Sequence, residues 1–177
     1  MSGRLFLAVV PSVRPAARIY RLAKVVKRAR HFLGNLIEPD CLHVTLFFLD
    51  EGSNAREYVI RMAGEAARNV CVSPFEVSFD RIASFRGRPG HYPFVMLGGD
   101  GLNRLRELRQ ALGAQLMRNG LKHLVKPDFN PHVTLLYAER QVEEQPIEPL
   151  FWTVDAFVLI HSLRGHTHLA QWPLRVE

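Results

Sequence analysis

Two stretches of the 177-residue chain repeat one spacing of chemically capable side chains. His43-Val44-Thr45-Leu46 continues into Phe47-Phe48-Leu49, and His132-Val133-Thr134-Leu135 continues into Leu136-Tyr137-Ala138. With an unperturbed pKa of about 6.5, one histidine can be neutral and another protonated near neutral pH. A facing pair therefore supplies a base and an acid at once. That suits in-line displacement at phosphorus, where one group activates the nucleophile and the other protonates the departing oxygen. A threonine hydroxyl two residues along can donate to a non-bridging phosphate oxygen. Neither a metal nor a serine or cysteine nucleophile is required if the leaving oxygen belongs to a strained five-membered cyclic phosphate.

The elements that carry these residues follow from the same letters. Each copy is rich in β-branched and apolar residues and is bounded by loop residues, which predicts a short strand. Residues two apart on a strand share a face, so His43 and Thr45 lie roughly 7 Å apart on one side, as do His132 and Thr134. Val44, Leu46 and Phe48 are expected on the opposite side of the first strand, and Val133 and Leu135 on that of the second. One His-apolar-Thr-apolar match is unremarkable, but two inside hydrophobic strands are rare by chance. The bland alternative is a pair of satisfied core histidines.

Around these strands, residues 4–10 read as a buried strand stopped by Pro11. Residues 15–32 read as a helix with an apolar stripe of Ala17, Tyr20, Leu22, Val25, Val26 and Ala29. Its other face is basic (Arg18, Arg21, Lys24, Lys27, Arg28 and Arg30), and a solvated surface is the simpler reading of it. Residues 53–70 read as a helix capped by Ser53 or Asn54, with Val59, Met62, Ala63 and Ala66 on one side. A strand runs from Pro74 toward Phe85 with alternation at Phe75, Val77 and Phe79. Residues 85–93 form a basic, aromatic loop, suited either to phosphate contact and base stacking or to a plain exposed turn. Residues 94–97 are a strand. The glycines that follow lack the Lys-Ser/Thr of a phosphate-cradling loop. Leu102, Leu105, Leu108, Leu112 and Leu116 mark a helix over 102–119, with Gly120 as its C-cap. After a charged loop at 139–148, strands are expected over 152–163 and 168–174, joined by a hairpin turn at 162–166.

Bulk properties bound the partners. Lys and Arg number 23 against 17 Asp and Glu, a net charge of +6, which favours an anionic partner such as RNA. Cys41 and Cys71 form no Cys-x-x-Cys pair, so reduced thiols in a cytoplasmic protein are expected, and Cys41 is expected to pack beside His43. His161, His166 and His168 lack a nearby carboxylate, so no metal is expected. The apolar run at 5–10 is too short to span a membrane.

The two His-x-Thr motifs, the opening Arg4-Leu5-Phe6-Leu7-Ala8-Val9 and the closing Trp172-Pro173-Leu174 together resemble the 2H phosphoesterase superfamily. The resemblance is strongest to its bacterial RNA 2′,3′-cyclic phosphodiesterase branch, historically called 2′-5′ RNA ligase. It implies an α+β, bilobal, pseudo-twofold fold over residues 1–177. Two mostly antiparallel sheets, backed by helices, would flank a central cleft, and each lobe would contribute one motif. It implies hydrolysis of RNA 2′,3′-cyclic phosphate ends to 2′-phosphomonoesters, with reversible 2′-5′ ligation also attributed to the family. His43 would be the general acid and His132 the general base, with Thr45 and Thr134 holding the phosphate. No cofactor or metal is implied; RNA ends or cyclic nucleotides are the expected substrates, and a monomer away from membranes is expected. Two departures stand out. Many relatives carry an arginine after the second threonine, where this chain has Leu136 and Tyr137, with Arg140 later. A tyrosine near the closing hairpin is replaced, with His166 and His168 the candidates. The competing expectations are a sister activity on 2′-5′ oligoadenylate or ADP-ribose cyclic phosphate, and a non-catalytic RNA-binding module.

Overall fold

The computed structural model describes residues 3–50 and 56–176. Two four-stranded antiparallel sheets organise them. The first has the order β2-β1-β7-β8, from β1 (Arg4–Val9), β2 (Val44–Asp50), β7 (Ala156–Ser162) and β8 (His166–Pro173). The second has the order β5-β4-β3-β6, from β3 (Phe75–Ser84), β4 (Tyr92–Leu97), β5 (Val133–Ala138) and β6 (Gln145–Val154). Helix α1 (Val13–Arg30) and helix α3 (Asn103–Arg118) pack on the second sheet, and α2 (Arg56–Arg68) packs on the first and against α3. The caps expected at Ser53 and Asn54 lie outside the described residues.

The pseudo-twofold is visible in the connections. β1-α1-β2 and β4-α3-β5 are equivalent units, in which each motif strand pairs antiparallel with the strand that precedes its helix. Both motif strands therefore end at the margin of their sheets. Leucines 102, 105, 108, 112 and 116 are all fully buried, as their spacing predicts. Gly120 takes the positive φ of 82° that its capping position requires. The largest buried cluster takes residues from both sheets, including Leu7, Phe47, Phe79, Phe94 and Val133, so the lobes share one core.

Three expectations need correction. The buried stripe of α1 is Ala16, Ile19, Ala23 and Val26, whereas Val25 is 62% exposed. A sequence window rich in apolar residues all round does not fix which arc meets the sheet. The strand expected over 152–163 is two strands: β6 ends in one sheet, Asp155 intervenes, and β7 begins in the other. The crossing leaves no break in the pattern, because Trp152, Val154 and Phe157 are buried and only the exposed Thr153 and Asp155 interrupt them, as in one half-buried strand. β6 also begins at Gln145, inside the stretch expected to be loop, because β3 supplies backbone partners to Gln145 and Pro146. Among the described residues, no helix is long and apolar enough to cross a membrane.

Candidate active site

Both motif strands carry the same irregularity at the same place. β1 pairs Leu7 with Phe47 and Ala8 with Thr45, skipping Leu46. β4 pairs Phe94 with Leu136 and Val95 with Thr134, skipping Leu135. Each is a bulge one residue after the motif threonine, and a bulge resets which side the following residues face. Phe47 and Leu136 consequently turn into the core, while Phe48 and Tyr137 turn out. This corrects the expectation that Phe48 shares the greasy side of β2. The two strands present matched triplets, His43, Thr45, Phe48 and His132, Thr134, Tyr137, and all six line one cleft of about 350 Å³. Arg4, Phe6, Ile37, Cys41 and His166 complete much of its wall.

Each imidazole is held in the same way. His43 Nδ1 lies 2.8 Å from the carbonyl of Cys41, and His132 Nδ1 lies 2.8 Å from that of Asn130. A carbonyl only accepts, so both Nδ1 atoms carry hydrogen and both Nε2 atoms are left for chemistry. A ring backs each one: Phe6 at 4.9 Å from His43, and Phe85, edge-on at 4.8 Å, from His132. Burial pushes the His43 pKa down to about 4; its bond to Cys41 opposes this, and His166 and His132 add to it. Burial also lowers His132, opposed by its bond to Asn130. Both shifts leave the two imidazoles neutral at pH 7.

The remaining candidates sort cleanly. His166 enters the cleft edge-on to His43 at 4.9 Å, and its buried Nδ1 has no hydrogen-bond partner. It is one of the two residues expected to stand for the replaced hairpin tyrosine; the sequence put it in the turn, and its pairing with Ser162 at the start of β8 brings it inward. His168 is exposed, and His161 Nε2 faces Arg56 instead. Among the described residues, no three His, Cys, Asp or Glu side chains group so as to hold a metal ion. Cys41 lines the cleft with its thiol pKa pushed up, chiefly by burial, which disfavours the thiolate. Arg140 bonds Glu139 and the carbonyl of Arg30, over the ring of Phe32, and is not among the residues lining the cleft. The loop expected at 85–93 is a hairpin connection over 85–91, with Tyr92 and Pro93 already in β4; its Phe85 contacts His132 and its His91 stacks on Tyr137 at 4.3 Å.

Two antiparallel sheets that bring paired His-x-Thr strands to one cleft define a two-histidine phosphoesterase fold. The family profile described as the 2′-5′ RNA ligase superfamily matches residues 13–166, and the chain belongs to that superfamily. It is 30% identical over 108 residues to an RNA 2′,3′-cyclic phosphodiesterase of Archaeoglobus fulgidus, a match spanning 61% of this chain and 58% of that relative. The chain thus spans somewhat over half the length of that curated relative. Among solved structures, a phosphoesterase shares 29% identity with a TM-score of 0.66, covering 98% of this chain and 99% of its own. E. coli LigT complexed with 3′-AMP shares 27% identity with a TM-score of 0.69 over 98% of this chain and 99% of its own.

Proposed function

We propose that this protein is a cyclic phosphodiesterase that opens RNA 2′,3′-cyclic phosphate ends to 2′-phosphomonoesters without a metal. One bilobal unit spanning the 177 residues would do this, with each lobe contributing one motif. The observation that carries the reading is the convergence of both His-x-Thr pairs on one cleft, each with its Nδ1 committed to a carbonyl and its Nε2 left over. The named activity of the Archaeoglobus relative and the 3′-AMP complex of LigT support a nucleotide phosphate as occupant.

In this mechanism the cyclic phosphate sits between the strands, with Thr45 and Thr134 donating to its non-bridging oxygens. His132 Nε2 removes a proton from water, whose oxygen bonds to phosphorus in line with the 3′ oxygen. The phosphorus–O3′ bond breaks, and His43 Nε2–H protonates the departing oxygen. The 2′ ester survives, so the product is a 2′-phosphate. A 5′-hydroxyl of a second RNA in place of water gives a 2′-5′ linkage by the same step. His43 is the more deeply shifted imidazole, which suits an acid only once an anion is bound. In that setting the phosphate charge, acting in a site of low polarity, raises the His43 pKa.

The test is hydrolysis of a 2′,3′-cyclic mononucleotide and of an RNA ending in that group, with EDTA present. EDTA-resistant turnover that forms 2′-phosphate and is lost in both His43→Ala and His132→Ala is expected. Activity that survives either substitution overturns the assignment.

A further inference from the structure

Helix α1 carries seven basic residues (Arg14, Arg18, Arg21, Lys24, Lys27, Arg28 and Arg30) and no acidic one. The whole chain has a net charge of +6, so the rest of it carries a slight negative balance. The positive excess is thus a property of one helix. The other helices neutralise cations locally, through Arg68–Glu65 on α2 and Arg104–Glu107 on α3. Among the described residues, no cation of α1 makes an ion pair with a carboxylate. Glu139, the acidic group electrostatically coupled to Lys27, is already engaged by Arg140 and by the Leu33 amide.

This charge lies beside the cleft. Lys24, Lys27, Arg28 and His31 line a surface groove of about 940 Å³, together with Leu33 and Leu36. Leu36 bridges to Leu136 of β5, and the amide of the next residue, Ile37, donates to Leu135 at 2.8 Å. Ile37 itself lines the cleft. Consecutive residues, Leu36 and Ile37, therefore line the basic groove and the cleft wall.

We propose that the C-terminal half of α1 is a backbone track for single-stranded RNA, which holds the nucleotides upstream of a reacting end in the cleft. This rests on the function proposed above and narrows its substrate class to oligoribonucleotides in preference to free cyclic mononucleotides. Cations contribute to such binding by releasing counterions from phosphates, each contact adding about −0.7 to the slope of log affinity against log salt. Arginine and lysine at helical spacing can follow a flexible backbone without reading sequence.

The test compares wild type with Lys24→Glu/Lys27→Glu/Arg28→Glu and with the corresponding triple Gln variant, which spares the helix C-terminus a reversed charge. Two substrates are used: 2′,3′-cyclic AMP and an oligoribonucleotide ending in a 2′,3′-cyclic phosphate. Both variants are expected to raise KM for the oligonucleotide about tenfold or more and to flatten its salt dependence by about two contacts' worth. Turnover of 2′,3′-cyclic AMP is expected to stay within about twofold of wild type. Unchanged oligonucleotide KM and salt slope in both variants would overturn the track and leave α1 a solvated face. Should wild type turn over neither substrate, the proposed function fails. Fluorescence anisotropy with a labelled oligoribonucleotide then decides the track separately: a salt-sensitive loss of binding in both variants supports it, and equal binding overturns it.

Discussion

At the scale of single residues, the cleft separates two chemically identical side chains by their surroundings. His43 and His132 share a tautomer and a carbonyl partner, but burial depresses His43 further. Replacing either by Ala is expected to cost about 10²- to 10⁴-fold in kcat, the usual worth of a positioned acid or base. Circular dichroism should show the fold intact. The depressed values also set the pH profile. The proposed acid and base require one imidazole protonated and one neutral, so kcat/KM should describe a bell between the two free-enzyme pKa values, with its maximum below about pH 6.5. The kcat profile should lie at higher pH, because a bound phosphate favours the imidazolium. A kcat/KM that still rises above pH 7.5 would contradict the neutral pair. His166 provides a finer check, since its charge helps to lower His43. His166→Gln should move the acidic limb of the kcat/KM bell toward higher pH.

At the scale of elements, the site depends on two bulges and one connector. The bulge after each threonine aims Phe48 and Tyr137 into the cleft, and the connector at 31–37 holds β5 from its outer side. Gly34 sits where a Cβ would come within 1.9 Å of the Tyr137 carbonyl oxygen. That contact is with backbone and cannot yield cheaply, so Gly34→Ala should destabilise the protein by about 2 kcal/mol or more. Urea unfolding would measure this, and a change under about 0.5 kcal/mol would mean the connector moves freely. These elements also show where reading from sequence stops. The motifs, α3 and the strand-helix-strand halves were legible because periodicity and repetition are local signals. The bulges were not, because strict alternation assigns every second residue to one face and nothing in Thr45-Leu46-Phe47 announces an extra residue. The split of β6 from β7 at Asp155 was hidden for a related reason: exposed Thr153 and Asp155 between buried Trp152, Val154 and Phe157 read as the outer face of one strand. His166 was visible as a residue, but only its pairing across from Ser162 shows that it meets His43.

At the scale of the whole molecule, the paired histidines of the cleft become a term in stability. The sheets share one core, so the chain should unfold in a single transition, and proton uptake by the cleft histidines should bear on that transition. In the unfolded chain His43 titrates near 6.5; in the folded chain it titrates at about 4. Between those values the unfolded state binds the additional proton, so this contribution is complete above about pH 6.5 and is lost as pH falls toward 4. His132 and His166, also lowered, act in the same direction. From pH 7 to pH 5 the His43 contribution alone falls by about 2 kcal/mol, or about 4–8 °C in Tm for a chain of this length. Inorganic phosphate should reverse part of that loss and should stabilise more at pH 5.5 than at pH 8, because the protonated cleft is the form that binds an anion. Differential scanning calorimetry with and without phosphate, on wild type and on His43→Gln/His132→Gln, separates this from general acid sensitivity. The double variant should show a shallower fall in Tm between pH 7 and 5 and little protection by phosphate. If wild type and variant fall in parallel and phosphate protects both alike, the acid sensitivity arises elsewhere and the cleft does not hold its imidazoles neutral.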